Sequence, residues 1–583
     1  MPSICRAEWN RDETAWIFSM EGLDTFLERM NEMKDHFIVE RIPPKALKAL
    51  SDASKRASAQ KDEAQRRYAE DIPQNTKSRL YPFQREGVQF GLKHGGRLLL
   101  ADEMGLGKTV QAICIALAYH DEWPLLVVCP SAVRQTWEMQ LKDWLPDEVS
   151  RKMTVINQGS DIQQLRGYIE MGSSVAESYR ITIVSYDLAQ KLTHKDRYKV
   201  IICDESHHIK TLQAQRTQFL LPVLKKAKRV ILVSGTPALS RPIELFPQIE
   251  AIRPGILGTA KAYGDRYCRN PKDQKPYANV FGQRPKWQQQ LQYRGSSYEK
   301  ELHTILKQSL LIRRLKKDVL KDLPSKIRRV SYLQLTPAQR IPLDEITEEL
   351  DRLPPNDHKA KDAIISAFYR ATGPAKLPAL IKALRPLVER ATHQENGKLL
   401  IFAHHKEVLD GIEEDLLGSI VHIRIDGSTS STDRAERVNA FQTQTQVRVA
   451  LLSILAGGVG ITLTAARTVA FGEITWTPGD LIQAEDRAHR VGQTWPVEIY
   501  YFLAPGSADE LLWATVRKKL GVVGESVDGA IFKEAQKRLA VTRSDGTVVE
   551  KRNNTPSTPS GGWGSRRWDP KQLSLTAFFN VTY

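Results

Sequence analysis

Two glycines, a lysine and a threonine stand where a bound phosphate would need them. In "RLLLADEMGLGKTVQAICIAL" an apolar run passes through Gly105, Gly107, Lys108 and Thr109 into an amphipathic helical pattern. Glycine at 105 and 107 lets backbone N–H groups approach phosphate oxygens, and the helix start adds a favourable dipole. Lys108 can then neutralise the outer phosphates, and Thr109 can ligate magnesium. The generic loop has glycine six residues before its lysine; this chain has Asp102 there. Further on, "VIICDESHHIK" ends an apolar run in Asp204 and Glu205, a pair suited to hold magnesium and orient an attacking water. His207 and His208 follow and open a rival reading, a metal cluster of Asp, Glu and two His. Adjacent residues at a strand end point in different directions, however, and no distant Cys/His set completes such a site.

A third constellation, "LIQAEDRAHRVGQ", spaces Gln483, Arg487 and Arg490 three or four residues apart, so on one helix they would share a face. Arginines presented from a second lobe can stabilise charge on a transferring phosphoryl group. The same pattern taken alone also fits a solvated charged helix. Gly457, Gly458 and Gly460 upstream mark close backbone approach and favour a lobe interface, with Gly460 on its nucleotide side.

The elements that must position these groups are legible from the rhythm of the chain. From residue 77 to 253 short β-rich runs alternate with helical stretches, the signature of a parallel sheet covered on both faces. Residues 254–395 break that rhythm and read as an insertion followed by helical protrusions. The rhythm returns over 396–540, giving a second lobe with C-terminal helices. A small aromatic-containing unit occupies 1–50, and the highly charged 51–76 reads as an exposed helix or linker. The Ser/Thr/Pro/Gly-rich 541–583 reads as a disordered tail. The expected fold is therefore α/β, two lobes with parallel sheets and a helical insertion between them.

The 583-residue chain has room for several cores, and its net charge of +16 points to a polyanionic partner, nucleic acid first. Its five cysteines form no CxxC pair, which predicts a reducing compartment without disulfides or a cysteine zinc site. No apolar run reaches the length of a membrane span, and no secretory signal pattern opens the chain. An intracellular protein with no membrane partner is the expectation.

The segments "LYPFQREGV", "DEMGLGKT", "CPSAVRQTWEMQLKDW", "DESHHIK", "VSGTPALSRPIELF", "LIFAHHKEVLDGI", "LLSILAGGVGITLTAARTVAF" and "LIQAEDRAHRVGQ" occur in the order of helicase superfamily two. Together they resemble the Swi/Snf-type DNA translocases over about residues 79–505. The resemblance implies two RecA-like lobes closing on ATP and Mg2+ while gripping duplex DNA. By the same resemblance Gln84 reads adenine, Lys108 holds phosphate, Thr109 and Asp204 position magnesium, and Glu205 activates water. Arg487 and Arg490 match the arginine-finger motif, and Ser234 and Thr236 couple hydrolysis to lobe movement. DNA phosphates are expected near Ser131, Trp137 and Ser185, with the basic run Arg313–Lys317 a further candidate unless it is a solvated helix face. Such contacts predict structure-selective binding that falls steeply with salt.

Within that family, "YRGSSYEKELHTILKQSLLIRRLKKDVLKDLP" and "FGEITWTPGDLIQAEDRAHRVGQ" resemble the annealing helicases that remodel stalled replication forks, as do Thr462 and Ala466. "WIF" and "RIPPKAL" in the N-terminal unit resemble a HARP domain, with a merely structural cap as the alternative. The C-terminal "QLSLTAFF" resembles the box by which replication proteins bind the sliding clamp, PCNA. A single helical turn would gather Leu575, Phe578 and Phe579 into an apolar plug beside Gln572. The resemblance thus implies a nuclear, monomeric motor acting on double-stranded and forked DNA in the DNA damage response. A nucleosome remodeller, and a clamp-bound scaffold using ATP only as a switch, are the competing readings.

Overall fold

The computed structural model describes residues 8–10, 15–17, 28, 44–170, 180–235, 241–268, 293, 295–354, 357–393, 397–457, 461–514, 516, 540–542 and 548–549. Thr236, Gly458, Gly460 and the clamp-box residues Gln572, Leu575, Phe578 and Phe579 lie outside these. So does most of the HARP-like unit, of which only the antiparallel pair β1 (Glu8–Asn10) and β2 (Ala15–Ile17), Glu28 and the helix from Pro44 are described.

The first lobe is a seven-stranded parallel sheet. Its strands are β3 (Arg97–Leu100), β4 (Leu125–Cys129), β5 (Met153–Val155), β6 (Ile181–Ser185), β7 (Val200–Asp204), β8 (Arg229–Val233) and β9 (Leu311–Ile312), in the order β5-β6-β4-β7-β8-β3-β9. Both faces are covered, so the strands read as continuous apolar runs. Leu98 and Leu100 face one core cluster while Leu99 faces the other; Ile202 and Ile201 divide the same way.

The second lobe holds β10 (Lys326–Tyr332), β11 (Lys398–Ala403), β12 (His422–Ile425), β13 (Val449–Ser453), β14 (Ala466–Phe471) and β15 (Val497–Leu503), with β16 (Ala540–Thr542) and β17 (Val548–Val549) at the edge. The order is β12-β13-β11-β14-β15-β10-β16-β17, parallel except for the last pair. The two parallel-sheet lobes are those the strand–helix alternation predicts.

Two readings change. The stretch 254–395 does not stand apart from the lobes. β9 pairs with β3, extending the first sheet, and β10 pairs with β15 along seven residues in the second. A two-residue strand and the charged "KIRRVSY" carry too little apolar pattern to be read as sheet. Residues 51–76 take the helical alternative, in Pro44–Ala59, Lys61–Glu70 and Gln74–Arg79, but one face of them is not exposed. Ala64 and Ile72 enter the first lobe's core, and Arg67, 7% exposed, donates through its guanidinium to the Ala118 carbonyl and to Asp121.

Buried charge also ties helices to sheets. Helix His358–His393 runs along the second lobe despite Pro374, Pro378 and Pro386 inside it. Midway, Lys376 donates to Asp509 at 2.7 Å and to the Phe502 carbonyl at 3.3 Å, with both charged side chains essentially inaccessible. Asp509 also accepts the Ala504 N–H at 3.0 Å. Lys376→Met leaves that carboxylate buried and unpaired, and should cost about 3–5 kcal/mol in urea unfolding. Exchanging both partners for apolar residues should recover most of the loss.

Candidate nucleotide site

Strand β3 ends at Leu100, and the chain returns through a loop to helix Lys108–Leu117. Gly105 and Gly107 adopt φ of 83° and 73°, the left-handed region that disfavours any other residue. A Cβ on Gly107 would sit 2.3 Å from Gln84 Nε2, and one on Gly105 would sit 2.6 Å from Arg490 Cβ. The loop is thus pinched between the first lobe's Gln84 and the second lobe's arginine segment. Gln84 is buried. Its amide donates to the Leu106 carbonyl at 3.1 Å and its oxygen accepts the Tyr81 N–H, so the side chain is fixed against the loop backbone.

Lys108 donates to the Asp102 and Glu103 carbonyls at 2.9 and 3.4 Å. Burial draws its pKa below that of an ordinary lysine, while Glu205, Asp102 and Asp204 pull it back up. At the end of β7, Asp204 accepts the Trp137 indole N–H at 2.8 Å and the Glu205 N–H at 2.9 Å. Burial, then the Glu205 charge, pushes the Asp204 carboxyl above its usual range. Burial acts the same way on Glu205, but His207, Lys108 and Arg487 outweigh it and hold that carboxyl below its usual range. Glu205 has φ 46°, strained for a non-glycine residue, and this turns the chain sharply off the strand.

The two histidines divide. His207 Nδ1 lies 3.3 Å from Glu205 Oε2 and 3.4 Å from Ser234 Oγ, so it bridges the carboxylate to the start of the "SGTP" segment. His208 stacks on His207 and packs against Tyr186, whose hydroxyl donates to the Asp204 carbonyl.

From the second lobe only Gln483 is on a helix, Pro478–Glu485. Arg487 and Arg490 follow it in turns, contrary to the single helical face expected. The reason lies downstream: Gln493 Nε2 donates to the Thr464, Ala466 and Ala488 carbonyls, and the φ of 94° at Gly492 bends the chain back. Even so, the arginines reach the first lobe. Arg490 donates to Thr462 Oγ1 at 2.7 Å and abuts Gly105. Burial, then the Arg490 charge, brings the Arg487 guanidinium down to about 10, and Glu205 and Asp204 oppose that shift.

The basic run Arg313–Lys317 proves largely internal. Arg313 donates to the Ala101 and Gly235 carbonyls. Arg314 grips both oxygens of the fully buried Asp102, at 3.1 and 2.5 Å, and Gln111 completes the cluster. Lys316, 3% exposed, pairs with Asp486 of the second lobe at 2.9 Å and donates to the His489 carbonyl, while its own N–H donates to Glu103. Of the four basic residues only Lys317 is exposed, so three of the four brace the site from within the protein. In the sequence the only trace of this packing is the departure from the generic motif at Asp102.

Of the three positions expected near DNA, Ser131 is exposed, while Ser185 Oγ accepts the Leu188 N–H as a helix cap. Trp137 is 1% exposed and its indole is engaged with Asp204, so the ring itself presents no face to a duplex, and the expectation there falls to the backbone and hydroxyls near it.

The model of the SNF2-related domain matches residues 83–349, and that of the helicase conserved C-terminal domain matches residues 375–492. The chain is 39% identical over 517 residues to a SWI/SNF-related matrix-associated actin-dependent regulator of chromatin subfamily A-like protein 1 of Xenopus tropicalis, covering 88% of this chain and 51% of that one. It is 40% identical over 499 residues to the Caenorhabditis elegans homologue of that protein, covering 83% and 68%. It is 39% identical over 486 residues to the DNA annealing helicase and endonuclease ZRANB3 of Mus musculus, covering 81% and 43%. The chain thus spans about half the length of the Xenopus relative.

Trp137→Phe keeps an aromatic ring in the core but removes the donor to Asp204. Donors that hold a metal-ligating carboxylate are worth about 10–100-fold in metal affinity, and the expectation that Asp204 positions magnesium is tested by this change. Magnesium-dependent nucleotide binding should weaken by that order, with the melting temperature little changed.

Proposed function

The chain belongs to the SNF2-related family, and from that premise we propose that it is an ATP-dependent translocase on double-stranded DNA, acting as an annealing helicase that remodels replication forks. The observation that carries this reading is the approach of Arg487 and Arg490, from the second lobe, to the phosphate loop and carboxylate pair of the first. A nucleotide held between lobes ties their closure to its own hydrolysis, which a motor requires.

The residues fit magnesium-ATP. The positive-φ glycines form a cradle that a Cβ would fill, and Glu205 Oε2 is buried without a well-aligned hydrogen-bond donor. When bound, the nucleotide supplies the phosphoanhydride to be cleaved, and the cation screens its charge. Gln84 would face adenine, Lys108 the outer phosphates, and Thr109 with Asp204 the cation. Trp137 fixes the Asp204 carboxylate, and a divalent cation beside it would favour its ionised form despite burial. Glu205, held ionised by its cationic neighbours, is suited to orient water and accept its proton. Arg487 and Arg490 would meet the charge developing on the transferred phosphoryl group. His207 gives Glu205 a route to Ser234, and Thr236 two residues on shares the proposed coupling role.

The finer assignments rest on sequence and relatives. The name annealing helicase belongs to the mouse relative, and this chain shares 39% identity with it. Gln572, Leu575, Phe578 and Phe579 have the spacing of a PCNA-binding box, which would tether the motor at replication sites in the nucleus.

Lys108→Ala should abolish DNA-stimulated ATP turnover while circular dichroism stays unchanged. With ATP, the unaltered protein should regress or reanneal model forks and leave nucleosomes in place. Surviving turnover would remove the nucleotide assignment, and nucleosome sliding without fork activity would favour the chromatin reading. Phe578→Ala combined with Phe579→Ala should abolish PCNA pull-down and spare ATP turnover; retained pull-down sinks the clamp assignment.

A further inference from the structure

At the opposite end of β3 from the phosphate loop lies a cavity of about 510 Å³. It is walled on one side by helix Pro44–Ala59 and on the other by the first lobe, where helix Phe246–Ile252 ends. Five of its lining residues are basic, Lys48, Arg56, Arg97, Lys225 and Arg253, against a single acid, Asp52. Lys225 is neutralised from outside the lining by Glu250 at 2.7 Å. Among the described residues no carboxylate comes within ion-pair distance of Arg56, Arg97 or Arg253.

These arginines feel one another. Burial first, then the Arg56 and Arg97 charges, bring Arg253 down to about 10; burial, then the Arg229 charge, do the same to Arg97. Arg97 is engaged with backbone, donating to the Ile252, Ala251 and Leu224 carbonyls at 2.8, 2.6 and 3.2 Å. That satisfies its N–H groups but leaves its charge uncompensated. Arg253 donates from one Nη to the His94 carbonyl at 3.1 Å, and its buried Nε has no acceptor. Like charges gathered around a cavity destabilise the fold unless an anion offsets them. Guanidinium groups suit phosphate oxygens above other anions because they offer paired, planar donors.

We propose that this cavity is a second phosphate-binding site, separate from the nucleotide site and completed by the N-terminal helix. Its ligand is a phosphate-rich anion, either a free polyphosphate or the backbone of bound DNA. Only the DNA source rests on the translocase reading.

The test uses the full chain carrying Lys108→Ala, which silences the phosphate loop. Inorganic tripolyphosphate is titrated in calorimetrically, with and without Arg56→Gln and Arg253→Gln. At least a tenfold loss of affinity is expected in the doubly neutralised protein. Lys48→Gln with Arg56→Gln, both on the N-terminal helix, should lower affinity in the same direction and covers the case that Arg253→Gln does not fold. Duplex DNA binding is then followed against salt with Lys108 intact. A slope reduced by about 1–2 in the charge variants assigns the site to the DNA backbone, since each phosphate contact contributes about one unit. An unchanged slope with weakened tripolyphosphate binding assigns it to a free polyphosphate. Absence of tripolyphosphate binding, or affinity unaltered in both double variants, overturns the proposal. ATP turnover in those variants reports separately on the nucleotide site.

Discussion

The ammonium of Lys316 is the charge on which the two lobes meet. It is almost wholly buried, between Glu103 of the phosphate loop and Asp486 beside the arginine segment. Burial of a lone ammonium is prohibitive, and burial of a pair is tolerated only when the remaining hydrogen-bonding capacity is filled. Here the partners extend into a lattice. Lys326 bonds Glu485 and Asp486 at 3.0 and 3.1 Å, Arg328 grips Glu485, and the Tyr501 hydroxyl donates to Glu485 at 2.6 Å. Neither carboxylate can move without stranding a cation. The backbone carrying Arg487 and Arg490 is therefore set relative to the loop carrying Lys108.

A second buried lattice explains the loop's odd residue. Asp102 stands where the generic motif has glycine, and in isolation a buried carboxylate beside a phosphate site would repel its ligand. Arg314 cancels that charge from two directions, and Gly87 makes room, since a Cβ there would fall 1.9 Å from Gln111 Oε1. The departure from the motif and the basic run two hundred residues later are one feature.

This shows where sequence is transparent and where it is opaque. Loop, strand-end carboxylates and lobe architecture were legible because spacing and apolar periodicity fix them locally. The inward turn of the Trp137 indole to Asp204 was not legible, because a lone tryptophan in a polar helix does not record which way its ring points. Arg313–Lys317 looked like a phosphate-facing patch because composition records charge but not its destination. The helix expected through Arg490 stops at Glu485 because Gln493, three residues past that arginine, folds the chain back. Three prolines would ordinarily end a helix, yet His358–His393 continues. It packs Phe368 and Tyr369 into one core cluster and Leu380, Leu384 and Val388 into another, and that burial offsets the missing backbone bonds.

The pairing of β9 with the first sheet and β10 with the second has one more implication. Between Ile312 and Lys326 the chain crosses from one lobe to the other in roughly a dozen residues, at most about 45 Å when fully extended. A leash that short keeps the separated halves of the nucleotide site at millimolar effective concentration. Reclosure is then an intramolecular event, insensitive to how dilute the protein is. Because Lys316 lies on the leash itself, an opening of the lobes would unseat its ammonium and a closing would seat it again.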